Sequence, residues 1–265
     1  MRHSPGMGDP LDDMRRLGRF CLLAFGVSWL CWGGAVLAPG AAPVLKGLGG
    51  FGPAVAALVL VRRRPAERRA LLRRLVQWRI PLRVYLLALV LPVAGIVLAL
   101  VLTRALTGAG AILPQHMPPW VPLLVFGYVL VFSVAGEELG WRGLALPLLL
   151  ARLGPVAASL SLGVVWAAWH APLFLLPGDF HGAIPPLLFG AQVVASSLVY
   201  THLHRTAGGS LIPAHLFHAV FNSAVGLFPL LPQVRGGDVT ALAVAVGLLC
   251  LLAFWLALVM RRRAA

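Results

Sequence analysis

Val131–Leu150 reads VFSVAGEELGWRGLALPLLL. The stretch is long and apolar enough to cross the hydrocarbon of a bilayer, which takes about 20 residues of helix. Yet it carries Glu137, Glu138 and Arg142. Each ionisable group inside a membrane costs about 2.5–3.5 kcal/mol on insertion scales. Such groups are retained for pairing or for function. Helical geometry divides the three. Glu138 and Arg142 are four apart, so their side chains meet on one face. Glu137 and Arg142 are five apart, about 140° around the helix. The expected arrangement is a structural Glu138–Arg142 ion pair, with Glu137 facing elsewhere and available for chemistry.

The rest of the chain has the same character. It has 265 residues, of which 60% are hydrophobic and only 11% charged. A soluble domain of this size carries about a quarter charged residues. Apolar segments fall at 20–38, 48–61, 84–103, 120–142, 155–176, 185–201, 209–230 and 239–260. The fold class expected is an all-α, polytopic membrane bundle of about eight transmembrane helices, with the fourth continuing helically to about Leu150. The expected organisation is an N-terminal cytoplasmic segment (1–19), a transmembrane domain (20–260) and a short cytoplasmic tail (261–265). Cys21, Cys31 and Cys250 have neither paired nor metal-ligand spacing and read as small apolar residues.

The net charge of +14 could suggest nucleic acid, but the basic residues cluster beside apolar runs, where they report topology instead. With the N-terminus in the cytoplasm, 19 basic residues fall on the inner side and three (Lys46, Arg104, Arg235) on the outer. This split predicts a multi-pass protein of the cell membrane with both termini cytoplasmic. Nucleic acid is not expected as a partner. In the arginine-rich stretch 62–83, Leu71, Leu75 and Trp78 recur at helical spacing with Leu72 and Val76 alongside. Arg68, Arg69, Arg73 and Arg74 cover the remainder. This predicts an amphipathic helix anchored on the cytoplasmic leaflet.

Two further spans carry polar groups. His170 ends VVWAAWH one turn beyond Trp166, and SLIPAHLFHAVFNSA places His215, His218 and Asn222 along one stripe. A lone intramembrane histidine is often an interhelical hydrogen-bond partner. Polar clusters on three different spans point instead to a shared, cavity-lining site.

The three clusters together resemble the signature of the CPBP intramembrane proteases, the CAAX-protease and bacteriocin-processing (Abi) family. EELGWR (Glu137–Arg142) corresponds to EExxxR, WAAWH (Trp166–His170) to an aromatic followed by xxxH, and HAVFN (His218–Asn222) to HxxxN. The stretch QWRIPLRVYLLAL from Gln77 is similar to the segment that precedes this core. The resemblance covers roughly 65–230, with the catalytic core at 120–226. It departs at Trp166, where the family usually has Phe; as one aromatic for another, the exchange puts little in doubt. The resemblance implies an intramembrane endopeptidase acting on a membrane-associated protein or peptide, prenylated C-termini being the substrate of one branch only. Glu137 would activate a water and His170 would hold or polarise it. His218 and Asn222 would stabilise the tetrahedral oxyanion, with Glu138 and Arg142 in support. The chemistry requires a base beside a water and donors aimed at the developing oxyanion.

Two histidines and a glutamate also make a possible zinc set, so Glu137, His170 and His218 are the ligands expected if a metal is used. The reading preferred is that no cofactor is required. A non-catalytic scaffold or immunity protein is a third possibility. A proton-coupled transporter is disfavoured because no inverted repeat is evident. The expected partners are the lipid bilayer and a peptide or membrane-protein substrate. The catalytic cavity is expected to open toward the cytoplasm, with Glu137 and His218 in the cytoplasmic half of the bilayer. At about 22 Å from the inner end of its span, His170 lies too far outward for that placement.

Overall fold

A computed structural model describes residues 10–108, 110–113 and 117–262, with the side chains of Pro10 and Ser133 excluded. Arg2 and Arg263, and the outermost parts of the expected N-terminal segment and tail, lie outside the described residues. The described chain is a bundle of helices without strands. It is a multi-pass membrane protein with seven helices long and apolar enough to span a bilayer. An eighth span is counted if the bent pair Pro39–Gly49 and Gly52–Val61, inclined at 45°, is one crossing. That bent pair is the short second segment expected from the sequence.

Helix α1 (Pro10–Leu37) runs to a turn, and α2 (Ala42–Gly49) with α3 (Gly52–Val61) return as the bent span. The kink falls where Gly49, Gly50 and Gly52 cluster. There Ser28 Oγ donates to the Gly49 carbonyl at 2.7 Å, restoring a partner to backbone that the bend frees. Helix α4 (Pro65–Leu75) lies at the arginine-rich end, followed by α5 (Leu82–Thr107). The amphipathic expectation holds in part. Leu71 is buried and Leu75 half-buried, while Arg68, Arg69 and Arg73 are exposed. The helix ends at Leu75, however, so Trp78 leaves that face. It is exposed, with the Arg79 guanidinium 5.1 Å from its ring centre.

The fourth span runs from Val121 to Leu150 in pieces: α6 (Val121–Val129), α7 (Ala135–Gly140) and α8 (Leu146–Leu150), joined by π-helical turns at Leu130–Val134 and Trp141–Ala145. Such turns insert a residue into the helix and re-aim its side chains, often at functional sites. Helix α7 packs closely on α3. A Cβ at Gly136 would stand 2.6 Å from the Gly50 carbonyl oxygen, and one at Gly140 2.5 Å from the Pro53 backbone. Only glycine admits this approach, the small-residue packing by which membrane helices associate without a hydrophobic driving force. Helices α9 (Pro155–Trp169), α10 (Pro186–Thr206), α11 (Ile212–Leu227) and α12 (Thr240–Arg262) complete the bundle.

Candidate active site

The three polar clusters converge, as the sequence reading requires. Glu138 and Arg142 are fully buried, and Arg142 Nη1 donates to Glu138 Oε1 at 2.9 Å. The expected ion pair is therefore present. The same carboxylate oxygen also faces His218 Nδ1 at 2.8 Å. A carboxylate only accepts, so Nδ1 of His218 carries the proton. The guanidinium of Arg142 lies between two rings, 4.0 Å from the centre of Trp166 and 3.9 Å from that of Tyr200. Cation–π attraction is strongest where the charge is desolvated, so these rings help carry a buried cation. Tyr200 is a residue the sequence reading missed. It sits mid-α10 in an apolar run, and only the folded arrangement brings it to Arg142.

Glu137 turns the other way and lines a cavity of about 1110 Å³ together with Trp166, His170, His218 and Asn222. It is 6% exposed, and its Oε2 accepts a hydrogen bond from Trp166 Nε1 at 2.8 Å. The substitution of Trp for Phe is thus more than an exchange of aromatics: phenylalanine has no N–H to offer this carboxylate. His170 is the residue at which α9 ends. Its Nδ1 lies 2.8 Å from the Trp166 carbonyl, which can only accept, so Nε2 is the ring's remaining lone pair. His170 and Trp166 pack at 5.8 Å between ring centres, as their spacing of one turn predicts. His215 does not line this cavity; its Nδ1 donates to the Leu211 carbonyl at 2.8 Å.

Two boundaries account for the depth mismatch of His170. Span four continues to Leu150, which places Glu137 about 20 Å from that end, level with His170 rather than nearer the arginine-rich surface. Helix α11 starts inside the protein, where Ser210 and Leu211 are fully buried. The segment after α4 covers them: Ser210 Oγ donates to the Gln77 carbonyl at 2.8 Å, and Leu211 N–H to the Arg74 carbonyl at 3.1 Å. His218 therefore lies deeper than its position along α11 suggests, and the site sits near the middle of the bundle's length.

A second polar cluster also lines the cavity. Asp179 Oδ1 lies 2.6 Å from His181 Nδ1, and Lys46 pairs with the same carboxylate. Burial pushes the Asp179 carboxyl up, but the hydrogen bond from His181 and the Lys46 ammonium outweigh it and hold it well below the usual range. Burial pushes His181 below its ordinary value, against the pull of Asp179. Its ring stands 6.0 Å from that of His170. The D-x-H spacing of Asp179 and His181 was the available sequence signal.

The zinc arrangement does not fit. Among the described residues, no group of three His, Cys, Asp or Glu side chains is placed to hold a metal.

The fold and the site define a polytopic membrane protein with an internal cavity lined by a glutamate, three histidines and an asparagine. Residues 118–224 match the sequence model of the type II CAAX prenyl endopeptidase Rce1-like family. This segment of the chain is thus similar to the CAAX-protease family, and the resemblance covers less than half of the chain. A CAAX prenyl protease 2 of Methanococcus maripaludis is 29% identical over 109 residues, which is 39% of this chain and 39% of the relative.

Proposed function

We propose that the protein is an intramembrane endopeptidase of the cell membrane that hydrolyses a peptide bond of a membrane-associated polypeptide through a water activated by Glu137. The observation that carries this reading is the opposite fate of the two adjacent acids. Glu138 is locked to Arg142 and His218, whereas Glu137 faces a cavity large enough for a peptide segment.

In this mechanism a water between Glu137 and His170 attacks the scissile carbonyl. Glu137 takes a proton from the water as the C–O bond forms, and passes it to the departing amide nitrogen as the C–N bond breaks. The oxyanion meets Asn222, a neutral N–H donor, and His218. With its Nδ1–H directed at Glu138, His218 presents Nε2 to the cavity, and it donates there only when that nitrogen also carries a proton. Arg142 and the Trp166 and Tyr200 rings hold that carboxylate in place. No step uses a metal. Both termini are assigned to the cytoplasm on the strength of the basic-residue asymmetry.

The test is cleavage of a peptide library by purified protein in detergent, with wild type beside Glu137→Gln, each with and without a strong chelator. The expected result is cleavage by wild type that survives chelation and is lost in Glu137→Gln. Cleavage abolished by chelator and restored by zinc would replace this mechanism with a metal-dependent one.

A further inference from the structure

The loops that line the cavity and the arginine-rich surface lie at opposite ends of the bundle. Successive spans alternate direction, so the termini, α4 and the 151–154 and 207–211 turns share one end of the bundle. The turns at 38–41, 176–185 and 228–239 share the other. Among the described residues, the inter-span turns that line the cavity are those of this second end, with Pro39, Asp179, His181 and Gln233, joined by Lys46 of α2. None of the lining residues comes from 62–83 or 203–213.

The arginine-rich end is closed by bonded structure. Arg74 Nη1 donates to the Gly143 carbonyl at 3.2 Å, within the π-helical turn that carries Arg142. Leu71 packs against Gly143, where a Cβ would stand 2.7 Å from Leu71 Cδ1. Arg16 to Glu67 at 2.6 Å and Arg152 to Asp13 at 2.7 Å tie α4 and the 151–154 turn to α1. A polypeptide entering from this side would have to break these contacts.

The two ends also differ in charge. Two of the three cations of the open end face local acids: Lys46 pairs with Asp179, and Arg235 lies 3.4 Å from Asp238, while Arg104 donates to the Gly110 carbonyl. Around α4, by contrast, Arg62, Arg63, Arg68, Arg69 and Arg73 are exposed, and Glu67 is the only acid in that helix. By the positive-inside rule the closed end is cytoplasmic.

We propose that the active-site chamber opens on the non-cytoplasmic side of the membrane, and that the substrates are non-cytoplasmic, membrane-proximal segments of membrane-anchored polypeptides. The substrate class rests on the peptidase reading; the direction of opening does not. In this arrangement Asp179, Lys46 and His181 form the polar rim past which the substrate backbone reaches His170 and Glu137.

The test separates the two. In a Cys21→Ala, Cys31→Ala, Cys250→Ala background, single cysteines are placed at the rim (Gln233→Cys), in the chamber (Gln192→Cys) and at the closed end (Arg205→Cys). Intact cells are treated with a membrane-impermeant, charged methanethiosulfonate before and after permeabilisation. The expected result is modification at 233 and 192 in intact cells, and at 205 only after permeabilisation. Modification at 205 in intact cells, or none at 192 until permeabilisation, overturns the proposal. Right-side-out and inside-out vesicles are then given the peptide library. Cleavage only by right-side-out vesicles supports the substrate assignment, and cleavage only by inside-out vesicles refutes it. If neither orientation cleaves while the labelling holds, the peptidase reading fails and the direction of opening stands.

Discussion

Glu137 and Glu138 are neighbours in the chain, yet they belong to different regions of the molecule. Glu138 lies in a closed region with Arg142, His218 and the Trp166 and Tyr200 rings, capped from the arginine-rich end by α4. Glu137 lies in an open region with His170, under a chamber rimmed by Lys46, Asp179 and His181. In the closed region the buried charges are held by one another, by His218 and by the two rings against the Arg142 guanidinium. In the open region a carboxylate keeps access to water and substrate. A membrane protein thus uses the same residue type once to hold its structure and once to react.

The largest effect expected tests the closed region. Glu138→Gln removes the counter-charge of a fully buried arginine. Breaking a buried pair from one side costs about 3–5 kcal/mol, a large share of the stability of a typical domain. The expected outcome is loss of the monodisperse species in size-exclusion chromatography of detergent extracts. Glu137→Gln, one residue away, is expected to leave that profile and the melting temperature close to wild type. It should lower peptide cleavage by about 10²–10⁴-fold, the usual contribution of a general base. Equal thermal damage in both variants would erase the distinction between the regions.

Next is the packing that sets the two acids on their separate sides. Gly140→Ala places a methyl group against the Pro53 backbone, which has no rotamer through which to yield. Overpacking of this kind costs about 1–3 kcal/mol. The melting temperature is expected to fall, and activity with it, because α7 must move off α3. Gly127→Ala, with open space at the corresponding position, is the control expected to change neither.

A smaller effect is expected where the regions meet. Trp166→Phe keeps a ring against Arg142 and removes the indole N–H from Glu137. A hydrogen bond to a charged group is worth about 1.5–3 kcal/mol, which would bring cleavage down by about tenfold or more while thermal stability moves little. A Trp166→Phe enzyme as active as wild type at every pH would show that the indole N–H has no part in orienting the carboxylate.

Much of this organisation is legible in the sequence for identifiable reasons. Spans follow from apolar length, their number from the alternation of arginine-rich and arginine-poor turns, and the Glu138–Arg142 pair from helical spacing alone. The Glu138–His218 contact is not local. It joins residues 80 apart, and no spacing rule reaches that far. The π-helical turns that flank α7 have no composition signal. The two glycines of GEELG were readable as a small-residue pair, but the helix they admit, α3, was not. The proposed direction of the chamber is not legible in the sequence, because charge reports which end of a bundle is cytoplasmic, not which end is closed. That depends on α4 folding back over Gly143 and Ser210.

The smallest effect expected lies at the rim. Burial raises the Asp179 carboxyl, while His181 and Lys46 lower it further, so its folded value is depressed. A carboxylate so depressed stabilises the folded loop above its unfolded pKa of about 3.9, and that contribution fades only as pH falls through the folded value. Between pH 5 and 8 the rim should therefore hold a constant charge on Asp179, and Asp179→Asn should shift the melting temperature by the same small amount throughout. Below about pH 4 the wild-type advantage should begin to decline, as the carboxyl of the unfolded chain takes up its proton, and it is lost only as pH falls through the folded value. Lys46 is partly exposed, and such pairs contribute about 1 kcal/mol or less, so the comparison needs melting curves of both proteins across pH 3–8 in one detergent. An Asp179→Asn effect that grew as the solution became more acidic would mean that the rim is held together by something other than this ion pair.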